Sequence, residues 1–351
     1  IVAIDCEEEP AAGISDSAYH ADTLSIADSA FRNCKNLTKV TLPSFMSNSG
    51  EFYNREDVIK LPDPFTDEDK WSLEYKQYNY IGAYAFYGCE KLTTVTLPEQ
   101  IGIMYDFGFS AKSDAILGEH AFENCTALVN VGYVQDGKYV WPSYLSIIKS
   151  YTFANSGLKE VVLPYAENDW GQTVKYSIDD YAFYGCKSLV NVELHGEMSN
   201  IGEGTPVLGK YAFAECTALK TAIFDDMYAV MDGAFENCRA LQKVEMTFRD
   251  SNIWTPRTEY RCVGKNAFKN CSALTSVSLN GELQSIDAGA FEGCRSLMSI
   301  EIPEDVTTVA ATAFAGWTAA QKITVPFADA GSILAGYATG WNGNATIVYK
   351  G

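Results

Sequence analysis

Ten cysteines, three histidines and 45 aspartates and glutamates are the side chains of this 351-residue sequence best equipped for chemistry. A zinc site would need Cys and His at close, paired spacings. His20, His120 and His195 stand far apart, and none has a spaced Cys, His or Asp partner. No GxSxG elbow, P-loop or HExxH stretch occurs. Asp63, Asp67, Glu68 and Asp69 share the composition of a calcium loop without its alternating ligands and central glycine. A glycosidase must set two carboxylates about 5–10 Å apart across a cleft, and nothing singles out such a pair. The sequence therefore predicts no catalytic residues, no metal and no cofactor, and a protein that is not an enzyme.

The cysteines instead keep time with a pattern. Cys34, Cys89, Cys125, Cys186, Cys216, Cys238, Cys271 and Cys294 each follow an Ala-Phe step by three residues, and Ser156 and Trp317 fill the same slot elsewhere. A disulfide or metal role would leave partners orphaned at those replacements. The expectation is a column of buried thiols acting as small hydrophobes. Bridges between neighbouring coils stay open by distance. Cys6 and Cys262 lie outside the slot, with a structural role ahead of a reactive one.

The full frame is clearest at residues 81–98, IGAYAFYGCEKLTTVTLP. Its Ala-Phe step recurs at Phe31, Phe86, Phe122, Phe153, Phe183, Phe213, Phe235, Phe268, Phe291 and Phe314. Phe268 to Phe291 and Phe291 to Phe314 are each 23 residues, which sets the unit, and longer spacings are this unit plus an insertion. Val95 and Leu97 alternate with Thr94 and Thr96, the period-2 pattern of a strand with one buried face. Pro98 closes it. Ala85, Phe86 and Cys89 suit a single helical turn. The residue before each Cys slot is Asn or Gly, with Glu215 the exception, so a left-handed backbone is expected there. One unit cannot bury its own Phe, Leu and Val; stacked units can.

This frame resembles the BspA-like leucine-rich repeat family, a bacterial surface class, over about Leu24 to Val325. Departures are local: Thr152, Ser156 and an early Leu158 in the fourth copy, Ala222 and Phe224 in the sixth, Trp317 and Ala320 in the last. The fold expected is an α/β repeat solenoid, a right-handed leucine-rich-repeat superhelix with a parallel sheet on one face and short helical turns on the other. Residues 1–23 are expected to be an N-terminal cap or degenerate repeat, 24–325 the solenoid, and 326–351 a C-terminal cap.

A net charge of −19 argues against partners that present phosphates, whether nucleic acid or an anionic membrane. No run approaches the ~20 apolar residues of a membrane span. The sequence begins at Ile1 rather than Met, and an expected leader or lipid anchor would lie outside it. Insertions follow most of the early strands, near 44–80, 99–115, 135–147, 165–176, 195–207 and 248–262. They hold Trp71, Trp141, Tyr144, Trp170, Trp254 and Tyr260, which are the candidate ligand-binding residues. The alternative for any one tryptophan is packing on the solenoid flank in a hairpin. The outward sheet positions Thr41, Thr96, Val162, Glu193, Glu245, Ser278, Glu301 and Thr324 form a second candidate surface. The resemblance implies adhesion at the cell surface or outside the cell. The reading is a monomeric binding protein for a protein or extracellular matrix ligand, or else a glycan-binding module or a passive spacer.

Overall fold

In a computed structural model the repeats stack coil on coil around one continuous hydrophobic core that runs from Ile26 to Ala345. The structure describes residues 14–15, 25–42, 81–97, 117–142, 145, 147–164, 176–195, 208–227, 229–248 and 261–351.

Each coil contributes one strand to a run of parallel strands, paired in register within three groups. Lys39–Thr41, Thr94–Thr96 and Asn130–Gln135 form the first group. Glu160–Leu163, Asn191–Leu194, Thr221–Met227, Lys243–Phe248 and Ser276–Gly281 form the second. Ser299–Glu301, Lys322–Val325 and Thr346–Tyr349 form the third. Alternation decides what each strand buries. Val161, Val192, Ala222 and Val244 turn inward, while Val162, Glu193, Ile223 and Glu245 line up outward.

A second column of one- or two-residue parallel bridges runs beside the sheet, through Ile26, Ile81, Leu117, Ile148, Ile178, Leu208, Val230, Val263, Ile286, Val309 and Tyr337. The Phe column is continuous. From Phe31 to Phe314 each ring stacks on the next at 5.1–5.5 Å and within 12° of parallel.

The side that joins the bridge column to the strand departs from the expected helical turns. Among the described residues the Ala-Phe segments are strings of tight turns, and the one helical element is a 3₁₀ turn at Ala330–Ser332. The hydrogen bonds show why. Ala85, Tyr87 and Cys89 donate to the carbonyls of Gly82, Tyr84 and Phe86, three residues back, but Tyr84, Phe86 and Gly88 donate to Glu119, Ala121 and Glu123 of the next coil. A helix needs every N–H bonded along its own axis; here alternate donors are spent on the neighbour. The left-handed positions expected before the Cys slot are present, from Asn33 at φ 60° to Gly316 at φ 80°.

The departures from the frame each find partners. Thr152, buried where alanine is usual, donates its hydroxyl to the Lys149 carbonyl at 2.8 Å. Phe224 lies edge-on to Phe213 and Phe235. In the last repeat Ala320 is exposed and Gln321 turns inward instead, donating to the carbonyls of Leu297 and Cys294 at 3.0 and 3.2 Å.

Candidate binding surfaces

The insertions share one place in the coil. The described chain leaves the main sheet at Leu42, Leu97, Leu163, Leu194 or Phe248 and rejoins the second column at Ile81, Leu117, Ile178, Leu208 or Val263. In the late coils the same corner is closed directly, from Gly281 to Ser285 and from Glu301 to Thr308. Trp71, Tyr144, Trp170, Trp254 and Tyr260 lie outside the described residues. Trp141 does not, and it is 6% exposed, edge-on to Phe153 at 5.5 Å. It follows a hairpin in which Asn130–Gln135 pairs antiparallel with Lys138–Val140. Asp136 and Gly137, at φ 49° and 76°, make the turn. Trp141 thus packs in the core, because its hairpin folds back on the flank and delivers it there.

The outward sheet face carries a polar network rather than large anchors. His195 bonds Asp225 Oδ2 through Nδ1 at 3.0 Å and Glu193 Oε2 through Nε2 at 3.2 Å. Asn191 donates to Glu193 at 2.8 Å and to Glu160 at 3.3 Å. Lys243 pairs with Glu245 at 2.9 Å. The hydrogen bond to Asp225, then that to Glu193, raises the His195 pKa against the opposing effect of burial. The Asn191 amide, then His195, lowers that of Glu193. Both ring nitrogens face carboxylates, an arrangement that favours the protonated ring. Among the described residues no group of three or more His, Cys, Asp or Glu is placed to hold a metal ion.

The thiol column is more than hydrophobic filling. Cys125, Cys186, Cys216, Cys238, Cys271 and Cys294 are buried and free of disulfides. Each donates its thiol, at 3.0–3.2 Å, to the carbonyl of the Phe one coil earlier, from Phe86 for Cys125 to Phe268 for Cys294. Trp317 places its indole N–H on the Phe291 carbonyl in the same way, at 3.0 Å. Burial pushes the Cys294 thiol up to about 12, so it stays a protonated donor at neutral pH. Cys262, half-buried and outside the slot, is also raised to about 12, by burial and then by Asp287.

A further surface is a ladder of stacked rings outside the repeat frame. The residue before the repeat's alanine is Tyr84, His120, Tyr151, Tyr181 and Tyr211 in five successive coils, and these rings stack at 4.4, 4.7, 4.8 and 5.1 Å. All five are half-buried. His120 sits between two tyrosines with its Nδ1 2.5 Å from Glu123 Oε2. The signal was available: four Tyr and a His recur at one fixed offset from Phe. That position holds Ser, Gly, Asn or Thr in the other repeats, so the rings are no part of the repeat frame.

Stacked parallel coils with Ala-Phe, Cys and Val-x-Leu columns define a leucine-rich repeat protein. The chain belongs to the BspA type leucine rich repeat family, whose model matches residues 14–60, 70–165, 111–253, 177–316 and 261–333. No curated protein matches it. Among solved structures, the chain is similar to the Treponema pallidum leucine rich repeat protein TpLRR at 20% identity, covering 71% of each chain with a TM-score of 0.34. It is similar to a leucine rich cell surface protein from Faecalibacterium prausnitzii A2-165 at 21% identity, over 96% of this chain and 86% of that one, with a TM-score of 0.33. It is similar to the pneumococcal vaccine antigen PcpA at 16% identity, over 93% and 71%, with a TM-score of 0.41.

Proposed function

We propose that this is a non-enzymatic binding protein, secreted or displayed at the cell surface, that recognises a protein or matrix ligand through its inserted loops and the adjoining sheet face. The observation that carries this reading is the shared exit corner. Loops that all leave between the main strand and the second column, from a scaffold held by a continuous core, present side by side what each one carries. Family membership supports the surface location, since the BspA class is one of bacterial surface proteins. Trp71, Tyr144, Trp170, Trp254 and Tyr260 are the proposed anchors, as rigid aromatics dominate most interfaces. Trp141 is left out because it is buried. Residues 326–351 are proposed as the closing cap, supported by Trp341 lying edge-on to Phe314 at 6.0 Å and by the final strand pairing with Lys322–Val325.

The test is a binding screen of the intact protein against host proteins, matrix proteins and a glycan array. Its comparison variant carries Trp71→Ala, Trp170→Ala and Trp254→Ala. A protein or matrix hit weakened at least tenfold in the variant is the expected result. An undiminished hit would remove the loops from recognition. Hits confined to glycans would replace the ligand class, and no hits at all would leave a spacer.

A further inference from the structure

The ring ladder from Tyr84 to Tyr211 is built against conformational preference. All five residues are left-handed, with φ between 56° and 60°. Gly233, Asn266 and Gly289 hold the same conformation at the same position in later coils. The backbone therefore has no need of a ring there. A left-handed conformation strains a non-glycine residue, and such strain gathers at binding sites. Ring stacking offsets part of that strain.

The ladder already holds one cation. Arg32, one coil earlier, sets its guanidinium carbon 5.0 Å from the centroids of both Tyr84 and Tyr87. Those two rings meet at 53° with centroids 5.7 Å apart. Tyr181 and Tyr184 repeat that corner at 61° and 5.7 Å, and the residue standing where Arg32 stands is Ala154. Carboxylates surround the strip. Beyond burial, Glu123 and Asp180 act on Tyr151, Asp180 on Tyr181, and Glu215 and Glu236 on Tyr184, with Lys210 the opposing cation at Tyr181.

The geometry points to the strip from Tyr84 to Tyr211, with the Tyr181–Tyr184 corner, as a docking surface for an arginine-rich segment of a partner protein. Guanidinium groups lie flat on aromatic rings and pair with carboxylates through a planar fork, which ammonium groups cannot do. The assignment rests on these rings and not on the inserted loops, and it stands whether or not the loops bind.

Oligoarginine, oligolysine and oligoglutamate of equal length, titrated calorimetrically into the intact protein, test it. Oligoarginine should bind, oligolysine several-fold more weakly, and oligoglutamate not at all. The double variant Tyr151→Ser, Tyr181→Ser keeps the net charge, and Ser29 already adopts this conformation at φ 60°. It should weaken oligoarginine about tenfold. Arg32→Ala opens the Tyr84–Tyr87 corner and should tighten oligoarginine more than Lys35→Ala, which makes the same charge change off the ladder. Equal affinity for the two basic peptides, or unchanged affinity in a double variant that melts like its parent, overturns the assignment. Should the double variant fail to fold, the comparison of Arg32→Ala with Lys35→Ala decides alone, and equal effects overturn it.

Discussion

A carbonyl oxygen has two lone pairs, and in this core the phenylalanine carbonyls use both. The Phe213 oxygen accepts the Cys216 backbone N–H at 3.3 Å from its own coil and the Cys238 thiol at 3.0 Å from the next. Cys238→Ala removes the second donor inside a dry core and should cost about 1–3 kcal/mol. Cys238→Ser retains a donor of nearly the same size and should cost less. Denaturant melts of the two variants check the order, and an alanine variant as stable as the serine one would reduce the thiol to filling. The sequence showed the slot and its size but not the bond. The hint lay in the replacements: Ser156 and Trp317 are unlike in volume and alike in carrying a donor. The same limit applies to Trp141. Its place beside turn residues fits a ligand-facing ring and a ring packed on the flank alike, and the hairpin register puts it against Phe153.

At the scale of the element, the strands were legible and the turns were not. Alternation in Val95, Thr96 and Leu97 reports a half-buried strand regardless of what lies beyond it. Ala, Phe and Cys spaced over five residues fit a helical turn equally well, and the deciding fact is where alternate N–H groups go, which depends on the neighbouring coil. The sheet face makes a prediction of its own. His195 has a raised pKa, so the stability its ion pairs supply is fully present below its unfolded value of about 6.5 and is lost as pH rises through the folded value. Glu193 is lowered, so its share is lost at the acid end, as pH falls through its folded value. Both groups are substantially solvated, which holds the effect to at most about 1 kcal/mol. His195→Gln should flatten the alkaline side of a melting-temperature profile between pH 5 and 9. An NMR titration giving His195 an ordinary pKa would remove the effect.

For the molecule as a whole, stability is a matter of columns. Phe235 and Phe268 are fully buried, and each is stacked on both neighbours. Phe235→Ala or Phe268→Ala should cost about 3–5 kcal/mol, whereas Lys243→Ala on the sheet face should change little. Chemical denaturation distinguishes them, and comparable losses would deny the stack its role. The spine was readable from one sequence because ten imperfect copies average out their exceptions. The insertions are not copies of one another, and no periodic pattern ties their aromatic residues to the scaffold.

The thiol-to-carbonyl link between coils has one more consequence. A soluble alkylating reagent can reach Cys125, Cys186, Cys216, Cys238, Cys271 or Cys294 only after that coil has parted from its predecessor. The column is thus a row of depth gauges spaced along the axis. Fraying inward from either tip would mark the cysteines one after another, while a spine that lets go as a unit would mark them all at once.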